Sequence, residues 1–270
     1  MKPLIGRDTR LCMSLSARPG NFGTRFQNRL YELTGLDYLY KSFSTTDLPA
    51  AIGGIRALGI RGCAISMPFK EAVIALLDGL APSAVAIDSV NTIVNDDGVL
   101  TGHNTDYGAV VDLVADIDRG WPFLLRGSGG MAKAVAAALS DSGFRNGTIV
   151  ARNEATGRAL ANLYGYGWSA EPVGTAPLIV NVTPLGMTGS AVDVLPFPEA
   201  TIAACEIAFD AVQYPAETRF LRAAADAGKR LITGAEVATL QALQQFTLYT
   251  GVNPDDAQVA EAADWARAHP

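Results

Sequence analysis

The stretch from Trp121 to Gly143 constrains the fold more than any other part of the chain. An apolar run, WPFLLR, passes directly into the turn GSGG, and the turn into the alanine-rich segment MAKAVAAALSDSG. A strand that turns sharply into a helix forms no hairpin with the segment after it. Its next strand must be reached by a crossover and lie parallel to it. The pattern then repeats, with GTIVAR (147–152), LIVNVT (178–183), EIAFDAV (206–212) and KRLIT (229–233) reading as strands. Helical sequence lies between them, through ATGRALANLYG and TRFLRAAADAG. Strands separated by helices in this way define a doubly wound α/β domain of the Rossmann type.

The turn itself carries chemistry. GSGGMA fits G-x-G-x-x-A through Gly127, Gly129 and Ala132, with Ser128, Gly130 and Met131 between them. Gly127 permits the tight turn, Gly129 lets the backbone approach a pyrophosphate, and Ala132 allows close helix–strand packing. The helix N-terminus adds N–H donors and partial positive charge. Glycines at such a turn are often turn chemistry alone, and the surrounding βαβ context is what favours a dinucleotide. The next strand selects which one. An NAD site keeps an Asp or Glu there for the ribose hydroxyl, whereas this chain has Ala151-Arg152-Asn153, with its first carboxylate, Glu154, already in the following turn. The plain alternative for Arg152 is a solvated surface arginine. A guanidinium after that glycine loop can fork onto a 2′-phosphate, so NADP is the expected cofactor, with Arg158 a second candidate for the phosphate.

The first hundred residues alternate in the same way. LCMSLS (11–16), LDYLYKS (36–42) and RGCAIS (61–66) read as strands, with one helix capped by Asn21 and ending near Gly35 and another near 47–58. Pro68 suits the first turn of a helix through PFKEAVIALLDG, where its missing N–H costs nothing. NTIVNDDGVLTGH (91–103) reads as a hairpin turning at Asp97-Gly98. From Gly234 the chain becomes helical again, through EVATLQALQQFTLYTG and DDAQVAEAADWARAH, and these helices are expected to pack back onto the first domain. At about 150 residues per domain, 270 residues suit two. The expected boundaries are 1–106 with 238–270 for a substrate-binding α/β domain, and 107–237 for the dinucleotide domain.

Composition removes other classes. With 21 basic against 27 acidic residues the net charge is −6, and no basic block exists, which argues against nucleic acid and anionic membrane surfaces. No run approaches the length of a membrane span, and MKPLIGRDTR is polar where a secretion signal needs its apolar core. Cys12, Cys63 and Cys205 are sparse and unpaired by spacing, which suits a reducing compartment. The expectation is a soluble, cytoplasmic protein. His103 and His269 are the only histidines, so no His-rich metal site is expected.

Several polar residues fall where the first domain's strands end, the usual ligand edge of an open α/β sheet. They are Ser14, Ser16, Ser66, Lys70, Asn91-Thr92 and Asn104-Thr105-Asp106. In the first turn of a helix, a lysine at 70 would meet a dipole that disfavours its charge, as suits a proton-transferring group. Asp106 opens the helix TDYGAVVDLV, where a carboxylate is favoured for structural reasons alone. Each has a plain structural reading by itself; together, ahead of a dinucleotide domain, they suggest a substrate site.

On these segments the chain resembles the shikimate dehydrogenase family over nearly its whole length. CMSLSARPGN is similar to the family's S-x-S-P-x-x-H-N, GCAISMPFK to G-x-N-V-T-x-P-x-K, and SVNTI and GHNTDYGA to A-V-N-T and G-x-N-T-D-x-x-G. GSGGMAKAV is similar to the G-A-G-G-A loop, VARNEATGRA to the N-R-T segment, NVTPLGM to N-x-T-x-x-G-M, and TLQALQQF to the Q-A motif. Ala17, Gly20, Ala64 and Ser66 depart from the pattern, and Gln213 stands where the family has a carboxylate-contacting tyrosine. The set looks like the divergent shikimate dehydrogenase-like branch. The resemblance implies NADP-linked interconversion of shikimate and 3-dehydroshikimate, with a place in aromatic amino-acid biosynthesis. It implies that Ser14 and Ser16 hold the substrate carboxylate, that Ser66, Asn91, Asp106 and Gln241 bind hydroxyls, and that Lys70 with Asp106 handles the hydroxyl proton. Around the cofactor it places Gly127, Ser128, Gly129, Gly130, Met131, Ala132, Arg152, Asn153, Thr183 and Gly234. The partner is then a small anionic cyclic polyol, bound by a monomer or homodimer. Quinate or another cyclic hydroxy acid is the alternative substrate. A module that senses NADPH and metabolite without turnover is the alternative outside enzymes.

Overall fold

In the computed structural model, which describes residues 4–269, the chain divides into two units. One runs to Thr105 and resumes at Thr239; the other is Asp106–Ala238. The first three residues of MKPLIGRDTR lie outside the described residues.

The first unit contains β1 (Arg10–Leu15), α1 (Phe22–Thr34), β2 (Tyr38–Phe43), α2 (Leu48–Ala57), β3 (Gly62–Ile65), β4 (Gly79–Leu80), α3 (Pro82–Val85), β5 (Thr92–Asp96) and β6 (Val99–His103). Its sheet has the order β2-β1-β3-β5-β6-β4. β1 lies parallel to β2 and β3, while β5 runs antiparallel to both β3 and β6. Asp97 and Gly98 take φ of 52° and 93°, the two positive values a two-residue hairpin turn demands. Alternating residues of β1 and β3 feed opposite faces. Cys12 joins Phe26 and Tyr31 of α1, and Met13 and Cys63 join Ile52 and Ile55 of α2.

The helices at the end of the chain, α9 (Gly234–Thr250) and α10 (Asp256–Ala268), complete the face that α1 covers, through Phe246, Tyr249, Ala262 and Ala263. At the start of α1, Asn21 occupies the cap position with helical φ and ψ, and its side chain makes no capping hydrogen bond. α2 is capped by Asp47, which accepts from the Ala50 N–H at 3.0 Å.

PFKEAVIALLDG does not form the expected α-helix. A helix would bond the Ile74 N–H to the Lys70 carbonyl. That carbonyl instead accepts from the Val90 N–H at 2.9 Å, and Ile74 turns to Glu71 at 3.2 Å. Ile74–Leu76 closes a single tight turn, and the Asp78 N–H then bonds Leu100, which leads the chain into β4 beside β6. Pairing with the sheet has overridden a helical periodicity.

The second unit contains α4 (Thr105–Leu113), β7 (Phe123–Arg126), α5 (Gly130–Asp141), β8 (Gly147–Val150), α6 (Glu154–Tyr164), β9 (Gly167–Ser169), β10 (Leu178–Asn181), α7 (Glu199–Ala204), β11 (Ile207–Asp210), α8 (Arg219–Asp226) and β12 (Arg230–Thr233). The order β12-β11-β10-β7-β8-β9 is parallel in its pairings. The chain enters at β7 in the middle, winds outward through β8 and β9, and crosses back to β10. A crevice opens outside the strand ends where the winding reverses. β10 and β11 are buried on both faces, which is why they read as unbroken apolar runs. The short β9 and α7 carry too few residues to show a period, and the sequence reading passes over both.

Gly62 of β3 lies under the ring of Tyr249, and a Cβ there would overlap ring carbons. Gly62→Ala is expected to destabilise the protein by about 1–3 kcal/mol through overpacking, read as a lower urea midpoint. An unchanged midpoint would mean that the α9 ring simply moves aside.

Candidate functional site

In the second unit the ends of β7, β8 and β10 surround a cavity of about 920 Å³. Gly127 leaves β7 with φ +134°, and a Cβ there would lie 2.7 Å from Val182 Cγ2. Glycine is required on both counts. The Gly127 N–H donates to the Val150 carbonyl at 2.9 Å, tying the loop to the end of β8. Gly129 caps α5 in an extended conformation, and a Cβ on Gly129 or Gly130 would meet nothing within 4 Å. The space before the helix N-terminus is therefore open to a ligand approaching the backbone. Ala132 is fully buried, and Met131 packs against the core, so at these two positions the side chains serve packing.

Ser128, Arg152, Asn153 and Thr183 line the same cavity. Ser128 shares a hydroxyl–hydroxyl hydrogen bond of 2.8 Å with Thr156. Asn153 caps α6, accepting from the Thr156 N–H at 3.2 Å. Arg158 is not among the lining residues. It pairs with Glu154 at 2.7 Å and lies 4.2 Å from the Trp168 ring centroid. Gly234 is likewise not among the lining residues, and its missing Cβ makes room for the Val212 carbonyl.

Behind Thr183 lies a buried polar network. Asp210 accepts from Asn181 Nδ2 at 2.9 Å, from the Val212 N–H at 3.2 Å and from the Thr218 hydroxyl at 2.6 Å. Asn181 in turn accepts from the Thr183 N–H and hydroxyl, at 3.1 and 2.6 Å. One carboxylate thus organises the loops that follow β10 and β11. Burial pushes its pKa up to about 6, against the opposing pull of its three donors.

In the first unit the polar groups gather at the ends of β1, β3 and β5. Ser16 is 7% exposed, and its hydroxyl has no hydrogen-bond partner. Ser14 donates to Ser42 at 3.0 Å, and Ser42 lies 2.6 Å from the Thr24 hydroxyl. The Ser66 N–H bonds the Leu15 carbonyl and the Ala17 N–H bonds Met67, so the segments carrying Ser16 and Ser66 are laced together. Asn91 Oδ1 accepts from the Thr105 N–H and the Thr92 hydroxyl, both at 2.8 Å. Gln245 donates to Thr92 at 3.0 Å and to Gln241 at 3.3 Å, which connects Asn91 to Gln241 through two intermediates.

Lys70 is half-buried and sits in a turn, so it does not occupy the first turn of a helix as expected from the sequence. Asp106 lies in the first turn of α4, at the start of the second unit. Gln245, one turn from Gln241, was detectable by helical spacing. Ser42 and Thr24 needed the strand register and tertiary packing. The three cysteines are buried and unpaired. No group of three or more metal-ligating side chains occurs among the described residues, and none of their helices is long and apolar enough to cross a membrane.

A parallel sheet in this order, with a glycine loop at its reversal point, places the second unit among Rossmann-type domains, joined in one chain to a separate α/β unit. Residues 22–93 of that other unit match the shikimate dehydrogenase substrate binding domain. The whole chain is 52% identical over 268 residues to a shikimate dehydrogenase-like protein of Haemophilus influenzae, covering 98% of this chain and 99% of that one. It is 36% identical over 229 residues to an NADP(+) shikimate dehydrogenase of Oleidesulfovibrio alaskensis, covering 82% of each. A solved shikimate 5-dehydrogenase-like protein superposes with a TM-score of 0.96 at 52% identity, over 98% of this chain and 100% of that one. The shikimate dehydrogenase of Thermus thermophilus, solved with NADP(H) and shikimate, gives 0.83 at 31% identity, over 95% and 99%. The chain belongs to the shikimate dehydrogenase family, within its divergent shikimate dehydrogenase-like branch.

The raised pKa of Asp210 has a definite sign. Folded, the carboxyl holds its proton up to about pH 6; unfolded, it releases it near its ordinary 3.8. Between those values the folded state binds more protons, so this group makes stability fall as pH rises from about 4 to about 6, by up to about 3 kcal/mol. Asp210→Asn is expected to remove that component from urea midpoints measured across the interval. An unaltered pH slope would sink the assignment.

Proposed function

We propose that the protein interconverts shikimate and 3-dehydroshikimate with NADP, the Asp106–Ala238 unit holding the cofactor and the other unit the substrate. The observation that carries this reading is the buried, unpartnered hydroxyl of Ser16, set among the laced strand ends of the first unit. A buried donor left unmade is costly, and an anionic acceptor at that place satisfies it. The substrate carboxylate would be bound there, with Ser14 contributing from its chain of hydroxyls. Asn91 and Gln241, held rigid by Thr92, Thr105 and Gln245, would bind ring hydroxyls with Ser66.

The nucleotide unit fits a dinucleotide: Gly127 has no room for a Cβ, while Gly129 and Gly130 face open space. NADP, when bound, supplies the hydride acceptor. The loop residues would position its pyrophosphate, and Arg152, with Asn153 beside it, would meet the 2′-phosphate. Oxidising an alcohol also releases the hydroxyl proton, and Lys70 with Asp106 would take it from the substrate oxygen.

The deciding experiment offers shikimate and quinate, each with NADP and NAD, to the purified protein and follows absorbance at the reduced-nicotinamide band. Shikimate with NADP is expected to turn over most efficiently. Turnover of quinate alone would replace the substrate, and binding without turnover would make the protein a sensor. Arg152→Asp is expected to erase or invert cofactor preference, since a charge-assisted fork contributes about 1.5–3 kcal/mol, or roughly tenfold or more. Lys70→Ala should lower kcat at least about a hundredfold and change KM much less. A near-normal kcat would leave the lysine a surface charge.

A further inference from the structure

Arg126 ends β7 immediately before Gly127, and it is a charged residue at the close of an otherwise apolar strand. Its side chain is 16% exposed. The guanidinium donates to the Pro196 carbonyl and, at 3.4 Å, to Glu171. The topology gives that second contact its meaning. Arg126 pairs in register with Val150, the last residue of β8, and Glu171 follows β9, the strand beyond. The ion pair therefore spans the end of β8, where Arg152 emerges, and all three residues line the one cavity.

That strand end is where a Rossmann domain reads the adenosine ribose. The pyrophosphate belongs one strand away, at the glycine loop. Burial pushes the pKa of Arg126 down and the neighbouring charge of Arg152 adds to the effect, with Glu171 opposing both. An arginine nevertheless stays protonated at neutral pH. Two like charges thus share this end of the cavity. The carboxylate of Glu171 is 67% exposed and makes only a long contact with the buried guanidinium. A mostly buried cation so weakly paired is poorly compensated, and a dianion arriving beside it relieves the repulsion.

We propose that Arg126 is a second specificity-determining residue for the phosphate on the adenosine ribose, acting with Arg152, and that Glu171 is the counter-ion it keeps in the absence of nucleotide. The inference rests on the NADP reading and extends it to a residue outside the strand-end turn.

The test is calorimetric binding of 2′,5′-ADP and of 5′-AMP to the full chain, probes that differ by the one phosphate. Arg126→Met is expected to weaken 2′,5′-ADP about tenfold or more, while 5′-AMP stays within about twofold. Glu171→Gln is expected to tighten 2′,5′-ADP, because a competing carboxylate is gone. A residue that only supports the fold would weaken both probes alike, and that result overturns the proposal, as does unchanged 2′,5′-ADP binding in Arg126→Met. If that variant does not fold, Glu171→Gln decides: tightening supports the proposal, and no change or weakening overturns it. Arg152→Ala separates the two readings. A preference for 2′,5′-ADP that disappears in Arg152→Ala but survives in Arg126→Met leaves NADP standing and removes Arg126. No preference in the unmodified protein removes both.

Discussion

The close approach between Gly127 and Val182 is the constraint on which the nucleotide unit depends. It brings the loop after β7 against the chain leaving β10, at the place where the sheet reverses its winding. Any side chain at 127 would push these strand ends apart or force the loop off its path, because its φ of +134° is already reserved for glycine. With the approach made, α5 starts beside the reversal point and the cavity opens in front of it. Ser128, Arg152 and Thr183 line that volume, with β8 brought alongside by its ladder with β7.

Polar order in both units is built by sharing rather than by isolated pairs. Asp210 reaches Thr183 through Asn181, and Asn91 reaches Gln241 through Thr92 and Gln245. Each intermediary is buried and has little freedom to adopt another rotamer without stranding a partner. Thr183, at the outer end of one chain, is held by several bonds at once, as precise positioning requires. Ser16 departs from this pattern, its buried hydroxyl having no partner among the described residues.

Local signals carried most of the architecture. The strands β7, β8, β10, β11 and β12 are apolar runs bounded by turns or helices, and the β5–β6 hairpin is announced by Asp97-Gly98. Where the reading failed, information lay elsewhere in the chain. Nothing within 68–79 says that Val90 will claim the carbonyl of Lys70, so the local period favours a helix that does not form. The glycine loop and Arg152 were legible because their chemistry is contiguous in sequence. Ser42, Thr24 and Glu171 were not, since their relations to Ser14 and Arg126 pass through strand register and sheet order. Arg126 was visible all along as a lone charge ending an apolar run, but its meaning depends on what lies two strands away.

The first unit takes its elements from both ends of the chain. The side chain of Gln27 donates to the carbonyl of Ala242, a contact spanning 215 positions, and Tyr249 closes over Gly62. On a ribosome the first hundred residues emerge with one face of their sheet covered by α1 alone, since Phe246, Tyr249 and the alanines of α10 are made much later. The continuous stretch Asp106–Ala238 carries its own core and is complete before them. Synthesis therefore favours maturation of the Asp106–Ala238 unit before the first, and a nascent chain must keep Phe26 and Tyr31 from other partners until α9 and α10 arrive.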